Sequence, residues 1–164
     1  MNASDELSQQ QQAKRNELID LLTRAYWMEI ETVMNYVSNS INPDGIRAQQ
    51  IVQSLEQDIQ EELGHAQQLG TRMKELYGVV PGSMGFRPEQ KYLQPPASQT
   101  NIVHVVKGVI EAETGAIEHY KRIIELCDGF DYVTQDMVIT ILRDEEGHRR
   151  LFEGFLRELE SDKS

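Results

Sequence analysis

The chain has a single cysteine, Cys127, in 164 residues. That excludes an intrachain disulfide and any Cys-x-x-Cys metal or redox pair. A lone thiol suits a reducing cytoplasm, and the expected role of Cys127 is a buried thiol at a helix end. Basic residues are few: 16 lysines and arginines stand against 27 acids, a net charge of −11. Nucleic-acid binding needs a basic face, so no nucleic-acid partner is expected. The acidic surplus instead attracts cations. No apolar run approaches the roughly 20 residues of a membrane span, and residues 1–15 are polar and glutamine-rich with no signal-peptide core, so no membrane partner is expected. Strand signals are absent. Proline is rare, and four of the five prolines fall within residues 78–99, with three glycines.

What remains is helical periodicity, in four long segments. The first is expected from about residue 7 or 13 to 40, behind a polar lead-in over about 1–12. Its apolar stripe is Leu18, Leu22, Ala25, Tyr26, Val33, Tyr36 and Val37. Asn42-Pro43-Asp44-Gly45 makes a turn, with Asn42 placed to cap the next helix. The second helix is expected over 43–77, ended by Gly78. The third is expected over 98–127, closed by Asp128-Gly129, and the fourth over 133–159, capped by Asp131 or Thr134. Short links make two antiparallel hairpins, and the long link at about 78–99 crosses between them. The expectation is one all-α domain over residues 1–164, a four-helix bundle with a single crossover.

Stepping along each stripe by three or four residues meets carboxylates where apolar residues belong. The first helix brings Glu29 to its inner face, the second Glu62 and His65, the third Glu113, and the fourth Glu145 and His148. Glu111 is the rival on the third helix, but it lies about 200° around the axis from both 109 and 113. Glu31, Glu111, Glu118 and Glu146 fall off the stripes and are expected to be solvated. Four buried carboxylates repel one another, and each would cost several kcal/mol unpaired. Lysines and arginines fall mostly on outer faces or helix ends, so external cations are the compensation expected. Four carboxylates and two imidazoles match the inward Glu plus Glu-x-x-His pattern of di-iron and di-manganese bundles. Donors without thiolate suit iron or manganese, with zinc as an alternative.

The frame Glu-x-Gly-His occurs twice, at 62–65 and 145–148. Glycine inside a helix costs about 1 kcal/mol against alanine. One explanation is that Gly64 and Gly147 let the second and fourth helices approach closely around the metal pair.

Residues 131–148, Asp-Tyr-Val-Thr-Gln-Asp-Met-Val-Ile-Thr-Ile-Leu-Arg-Asp-Glu-Glu-Gly-His, closely resemble the fourth helix of bacterioferritins. The 33-residue step from Glu29 to Glu62, with Tyr36 seven residues after Glu29, is similar to their first two helices. The resemblance spans about residues 16–160 and implies the ferritin-like fold. It also implies a dinuclear site of Glu29, Glu62, His65, Glu113, Glu145 and His148, with Glu62 and Glu145 at bridging positions. An ungapped alignment of the third helix would put Ala112 where Glu113 is assigned. Tyr36 falls at the aromatic position beside the metals, as donor of an electron or a hydrogen bond. Trp27 and Tyr120 are expected to be packing or interface residues.

Departures from the family narrow the reading. Bacterioferritins carry a haem-ligating methionine one residue after the second-helix glutamate; here that residue is Leu63, so no haem of that kind is expected. Only five residues follow Leu159, so no fifth helix is expected. The plan is also similar to dodecameric mini-ferritins of the Dps-like group, some of which carry a cysteine pair that this sequence cannot form. Rubrerythrins have a further carboxylate where this chain has Ala116.

The function implied is a ferroxidase with two iron ions per subunit, oxidising Fe(II) with O2 or H2O2 for storage and detoxification. A homo-oligomer is expected, a dodecamer rather than a 24-mer. The alternative is a non-storage di-iron or di-manganese oxidase or peroxidase, rubrerythrin-like or manganese-catalase-like. A metal-free bundle acting as a binding module is a third reading. Glu61, beside the site, is expected to help guide iron inward.

Overall fold

The computed structural model describes residues 3–161, with side chains from residue 8 onward. Four long helices fill it: α1 (Ala3–Ile41), α2 (Gln49–Glu75), α3 (Ile102–Cys127) and α4 (Tyr132–Ser161). There is no strand among the described residues. α1 packs along α2, and α3 along α4; α1 against α3 is the larger contact between the two hairpins. The expected bundle with one crossover is the observed one.

Helix boundaries follow local chemistry. α1 begins at Ala3, so the polar lead-in is helical as far as the chain is described; Met1 and Asn2 lie outside the described residues. Residues 1–41 contain neither glycine nor proline, and their glutamines, leucines, lysines and glutamates favour helix. Asn42 does not cap α2. Its amide bonds the Ser38 hydroxyl, and α2 starts six residues later than expected, after a 3-10 turn at Ile46–Ala48. α2 ends in a Schellman motif, with Gly78 N–H donating to Met73 O at 2.8 Å and Tyr77 N–H to Lys74 O at 3.1 Å. The left-handed residue is Tyr77 (φ 67°) rather than Gly78. Gly78 sits in a tight space instead: a Cβ there would lie 3.1 Å from both Met73 O and the Ile19 side chain. Asn101 caps α3 by accepting from His104 N–H, and Gly129 (φ 65°) turns the chain after it. Of the two candidate caps for α4, Asp131 serves: its Oδ1 accepts the Thr134 N–H at 3.0 Å. Arg72 near the end of α2 grips both Asp131 oxygens, at 3.0 and 2.9 Å, and ties two helix ends together.

The crossover is bound to α1 by polar contacts. Glu31 is buried, contrary to the solvated position expected for it. Its carboxylate accepts the backbone N–H groups of Glu89 and Gln90 at 2.8–3.0 Å. Gln90 bonds Thr32 at 2.7 Å and Asn35 at 3.0 Å, and Asn39 donates to Leu93 O at 2.8 Å. The crossover thus covers a second face of α1, which a one-stripe reading leaves to solvent. It then passes over Gly108 of α3, where a Cβ would sit 2.7 Å from Tyr92 O. Glu111, Glu118 and Glu146 are exposed as expected. Val37, placed on the inner stripe of the first helix, is exposed.

The core is divided. One apolar cluster includes Ile51, Leu55, Val106, Val109 and Phe152. The other includes Leu18, Leu22, Leu69, Met73, Ile123 and Val138. Charged residues of the four helices occupy the layer between them.

Candidate metal centre

Glu29, Glu62, His65, Glu113, Glu145 and His148 are all buried. Each stands where its helix's apolar stripe passes mid-bundle, so the periodicity that builds the core also turns these six inward. Their donor atoms form two sets, Glu29–Glu62–His65–Glu145 and Glu62–Glu113–Glu145–His148, each with all atoms within 4.8 Å of one another. Glu62 and Glu145 belong to both sets. Glu62 Oε2 lies 3.4 Å from His65 Nδ1, and its Oε1 lies 3.4 Å from His148 Nδ1. Glu145 divides in the same way, with Oε1 3.1 Å from His65 Nδ1 and Oε2 3.5 Å from His148 Nδ1. Each of these carboxylates therefore presents one oxygen to each half of the site.

The outer nitrogens of the imidazoles are held reciprocally. His65 Nε2 on α2 meets Asp144 of α4 at 3.2 Å, and His148 Nε2 on α4 meets Glu61 of α2 at 3.0 Å. Asp58 Oδ1 is a further 3.7 Å neighbour of His148 Nε2. The two remaining glutamates are held by tyrosines from the opposite hairpin: the Tyr36 hydroxyl donates to Glu113, and the Tyr120 hydroxyl to Glu29. Tyr120, expected to pack, is thus a hydrogen-bond partner of the site. Trp27 does pack, between Tyr26 and Phe86.

Burial and neighbouring carboxylates push the carboxyls of Glu29 and Glu113 well above the usual range. Burial pushes Glu62 the same way, but its close contacts with Glu29, His148 and His65 outweigh it and hold Glu62 ionised at unusually low pH. Burial alone would lower the histidines. Contacts with Glu145 and Glu62 reverse that, raising His65 to about 10 and His148 to about 12. Protons thus carry the positive charge the carboxylates demand, and they do so incompletely. Both oxygens of Glu62, both of Glu145, and Nδ1 of His65 and of His148 are buried without a well-formed hydrogen bond. Orphaned buried acceptors are rare and costly, and these face one another, so the residues fit a pair of cations.

Three hydrogen-bond partners escaped the stripe reading although the sequence signals them. Tyr120 follows Glu113 by seven residues, as Tyr36 follows Glu29. An acid immediately precedes each Glu-x-Gly-His, Glu61 in one copy and Asp144 in the other. Asp58 has no such marker. The close-approach role for the two glycines is not what the structure has: a Cβ on Gly64 or Gly147 would meet nothing within 4 Å. Cys127 is buried at the end of α3, and burial pushes its thiol up to about 11.

The ferritin-like domain family matches residues 19–161, and the chain belongs to that family. A DNA protection during starvation protein of Pyrococcus furiosus is 27% identical over 144 residues, spanning 85% of this chain and 76% of its own. The bacterioferritin-related protein of Bacteroides fragilis, described as a dodecameric thioferritin, superposes with a TM-score of 0.80 at 26% identity, covering 97% of this chain and 96% of that one. The bacterioferritin of Desulfovibrio desulfuricans, whose diiron site is known in different catalytic states, shares the fold with a TM-score of 0.78 at 18% identity, covering 92% and 84%.

Proposed function

We propose that the chain is a ferroxidase whose substrates are Fe(II), two ions per subunit, and either O2 or H2O2. Each Fe(II) gives up one electron. Hydrogen peroxide takes the pair with two protons and leaves as two waters; dioxygen takes the same pair with two protons and leaves as hydrogen peroxide. The observation that carries this reading is the set of orphaned carboxylate and imidazole atoms shared between two four-residue donor groups. Four carboxylates bring four negative charges, which two divalent cations match. Oxygen and nitrogen donors suit iron or manganese, with zinc as an alternative.

Each protein group has a task in this reading. Glu62 and Glu145 bridge the halves, one oxygen to each. His65 and His148 ligate through Nδ1 while Asp144 and Glu61 hold the proton on Nε2. Tyr36 and Tyr120 each donate to a terminal glutamate and fix its orientation beside the centre. Of the two roles expected of Tyr36, hydrogen bonding is the one its contact with Glu113 supports. A non-storage oxidase of the rubrerythrin or manganese-catalase kind would need a pocket reaching the ligands, whereas all six are buried.

A closed homo-oligomer, dodecameric rather than 24-meric, completes the proposal, with iron storage and detoxification as its role and the cytoplasm as its place. It is supported by an apolar outer stripe on α1, with Met34, Val37 and Ile41 exposed. Beside it, Ile30 and Leu63 border an α1–α2 groove of about 640 Å³. The lone cysteine fits the compartment, and no helix among the described residues is long and apolar enough to cross a membrane. The acidic surplus argues against DNA as a partner.

Anaerobic Fe(II) titration followed by oxidant, with native mass in parallel, tests the proposal. The expected result is two Fe(II) per chain, an absorbance rise on oxidation, and both lost in Glu145→Ala. No Fe(II) bound, or oxidation unaffected by Glu145→Ala, would refute it.

A further inference from the structure

A glycine inside a helix is usually explained by a positive φ, a close approach or a helix end. Gly64 and Gly147 have none of these. They lie inside α2 and α4, neither has a positive φ, and a Cβ on either would meet no atom within 4 Å. Gly108 shows the contrast, with Tyr92 O 2.7 Å from the place of its Cβ. Each of the two glycines forgoes about 1 kcal/mol of helix stability without a packing reason.

Their positions supply another reason. Gly64 is three residues after Glu61, and Gly147 three after Asp144. A helical side chain leans back over the turn on its N-terminal side, so a side chain at 64 would lie across Glu61, and one at 147 across Asp144. These acids hold the outer nitrogens of His148 and His65. Their side chains are 40% and 41% exposed, against 1% for Glu62 and Glu145 directly behind them. They are therefore points where the buried centre meets solvent on the α2–α4 side. Next to Glu61, the buried Asp58 keeps Oδ2 without a hydrogen-bond partner, a second carboxylate oxygen free to receive a cation. Gly64 also borders a surface groove of about 620 Å³ between α2 and α4.

We propose that Gly64 and Gly147 keep Glu61 and Asp144 uncovered, making two openings through which divalent cations pass between solvent and the buried centre. The inference rests on the reading of that centre as a metal site. It assigns the repeated glycine to the rate of cation exchange and not to the strength of binding.

The test uses the full chain, made metal-free, and Co(II), which binds without being oxidised. Stopped-flow absorbance of the bound ion gives the filling rate and the end point for wild type, Gly64→Leu, Gly147→Leu and the two alanine variants. Circular dichroism and melting confirm that each variant folds, and the alanine variants are expected to melt higher than wild type. At least one leucine variant should reach the wild-type end point at least about tenfold more slowly, the low end of what acidic focusing adds to on-rates. The alanine variants should fill at the wild-type rate. The inference is overturned if neither leucine variant is slowed with its end point intact, or if alanine slows filling as much as leucine. A wild-type chain that binds no Co(II) is a different result, and it sinks the metal-centre reading itself.

Discussion

Asp144 on α4 accepts from His65 on α2 at 3.2 Å, while Glu61 on α2 serves His148 on α4 at 3.0 Å. Each hairpin thus orients the imidazole of the other, engaging Nε2 and leaving Nδ1 toward the centre. Asp144→Asn is expected to weaken metal affinity by about 10–100-fold, the usual effect of losing such a partner, with helix content unchanged. Competition against a chelator measures it. Unaltered affinity would show that His65 holds its orientation without the acid.

Acidity should act oppositely on the empty and the filled protein. His65 and His148 are raised from 6.5 to about 10 and about 12, and Glu29 and Glu113 are also raised. All four bind protons more tightly in the folded chain. The histidine contribution is complete below pH 6.5 and is lost as pH rises through the folded values. Glu62, shifted down, is already fully ionised in both folded and unfolded chains in that range. The melting temperature of the metal-free protein is therefore expected to fall between about pH 7 and 9. A metal held at the proposed centre must displace these protons, so the rise in melting temperature on adding Mn(II) should grow over the same interval. Calorimetry at the two pH values, with and without metal, reads both trends; parallel trends would contradict the proton-for-metal exchange.

Tyr120→Phe removes the hydroxyl that Glu29 accepts and leaves a buried carboxyl oxygen with no donor. The expected loss is about 1–3 kcal/mol in the metal-free protein, measured by denaturant unfolding. Tyr36→Phe should behave alike through Glu113. Losses near zero for both would mean that the two hydroxyls only fill space.

Gly108→Ala sets two effects of opposite sign against each other. Helix propensity favours alanine by about 1 kcal/mol. The new Cβ, however, would stand 2.7 Å from Tyr92 O, which is backbone and cannot swing aside. Overpacking of this kind costs about 1–3 kcal/mol, so a net fall in melting temperature is expected. Gly147→Ala, with nothing within 4 Å, should rise under the same assay.

Most of the bundle is legible in the sequence, because four long amphipathic stripes and one proline-rich link leave little else to build. The six inward groups are legible for the same reason: a carboxylate at a stripe position has nowhere to go but the core. What was not legible depends on contacts distant in the chain. Glu31 lies off its stripe and is buried only because residues 89 and 90 return to offer two backbone N–H groups. Asn42 has the chemistry of a cap, but a 3-10 turn separates it from α2. Spacing alone cannot tell a glycine that admits a neighbour from one that exposes a neighbour. Tyr120 reads as apolar filling until its seven-residue offset from Glu113 is set beside that of Tyr36 from Glu29.

The two apolar clusters on either side of the charged layer give the molecule an unusual distribution of rigidity. Helices ordinarily loosen from their tips, but here the waist of the bundle is where an ion-free chain has least to hold it. Amide hydrogens near residues 62 and 145 should then exchange with deuterium sooner than those near Leu55 or Val138, an order that filling the waist would reverse.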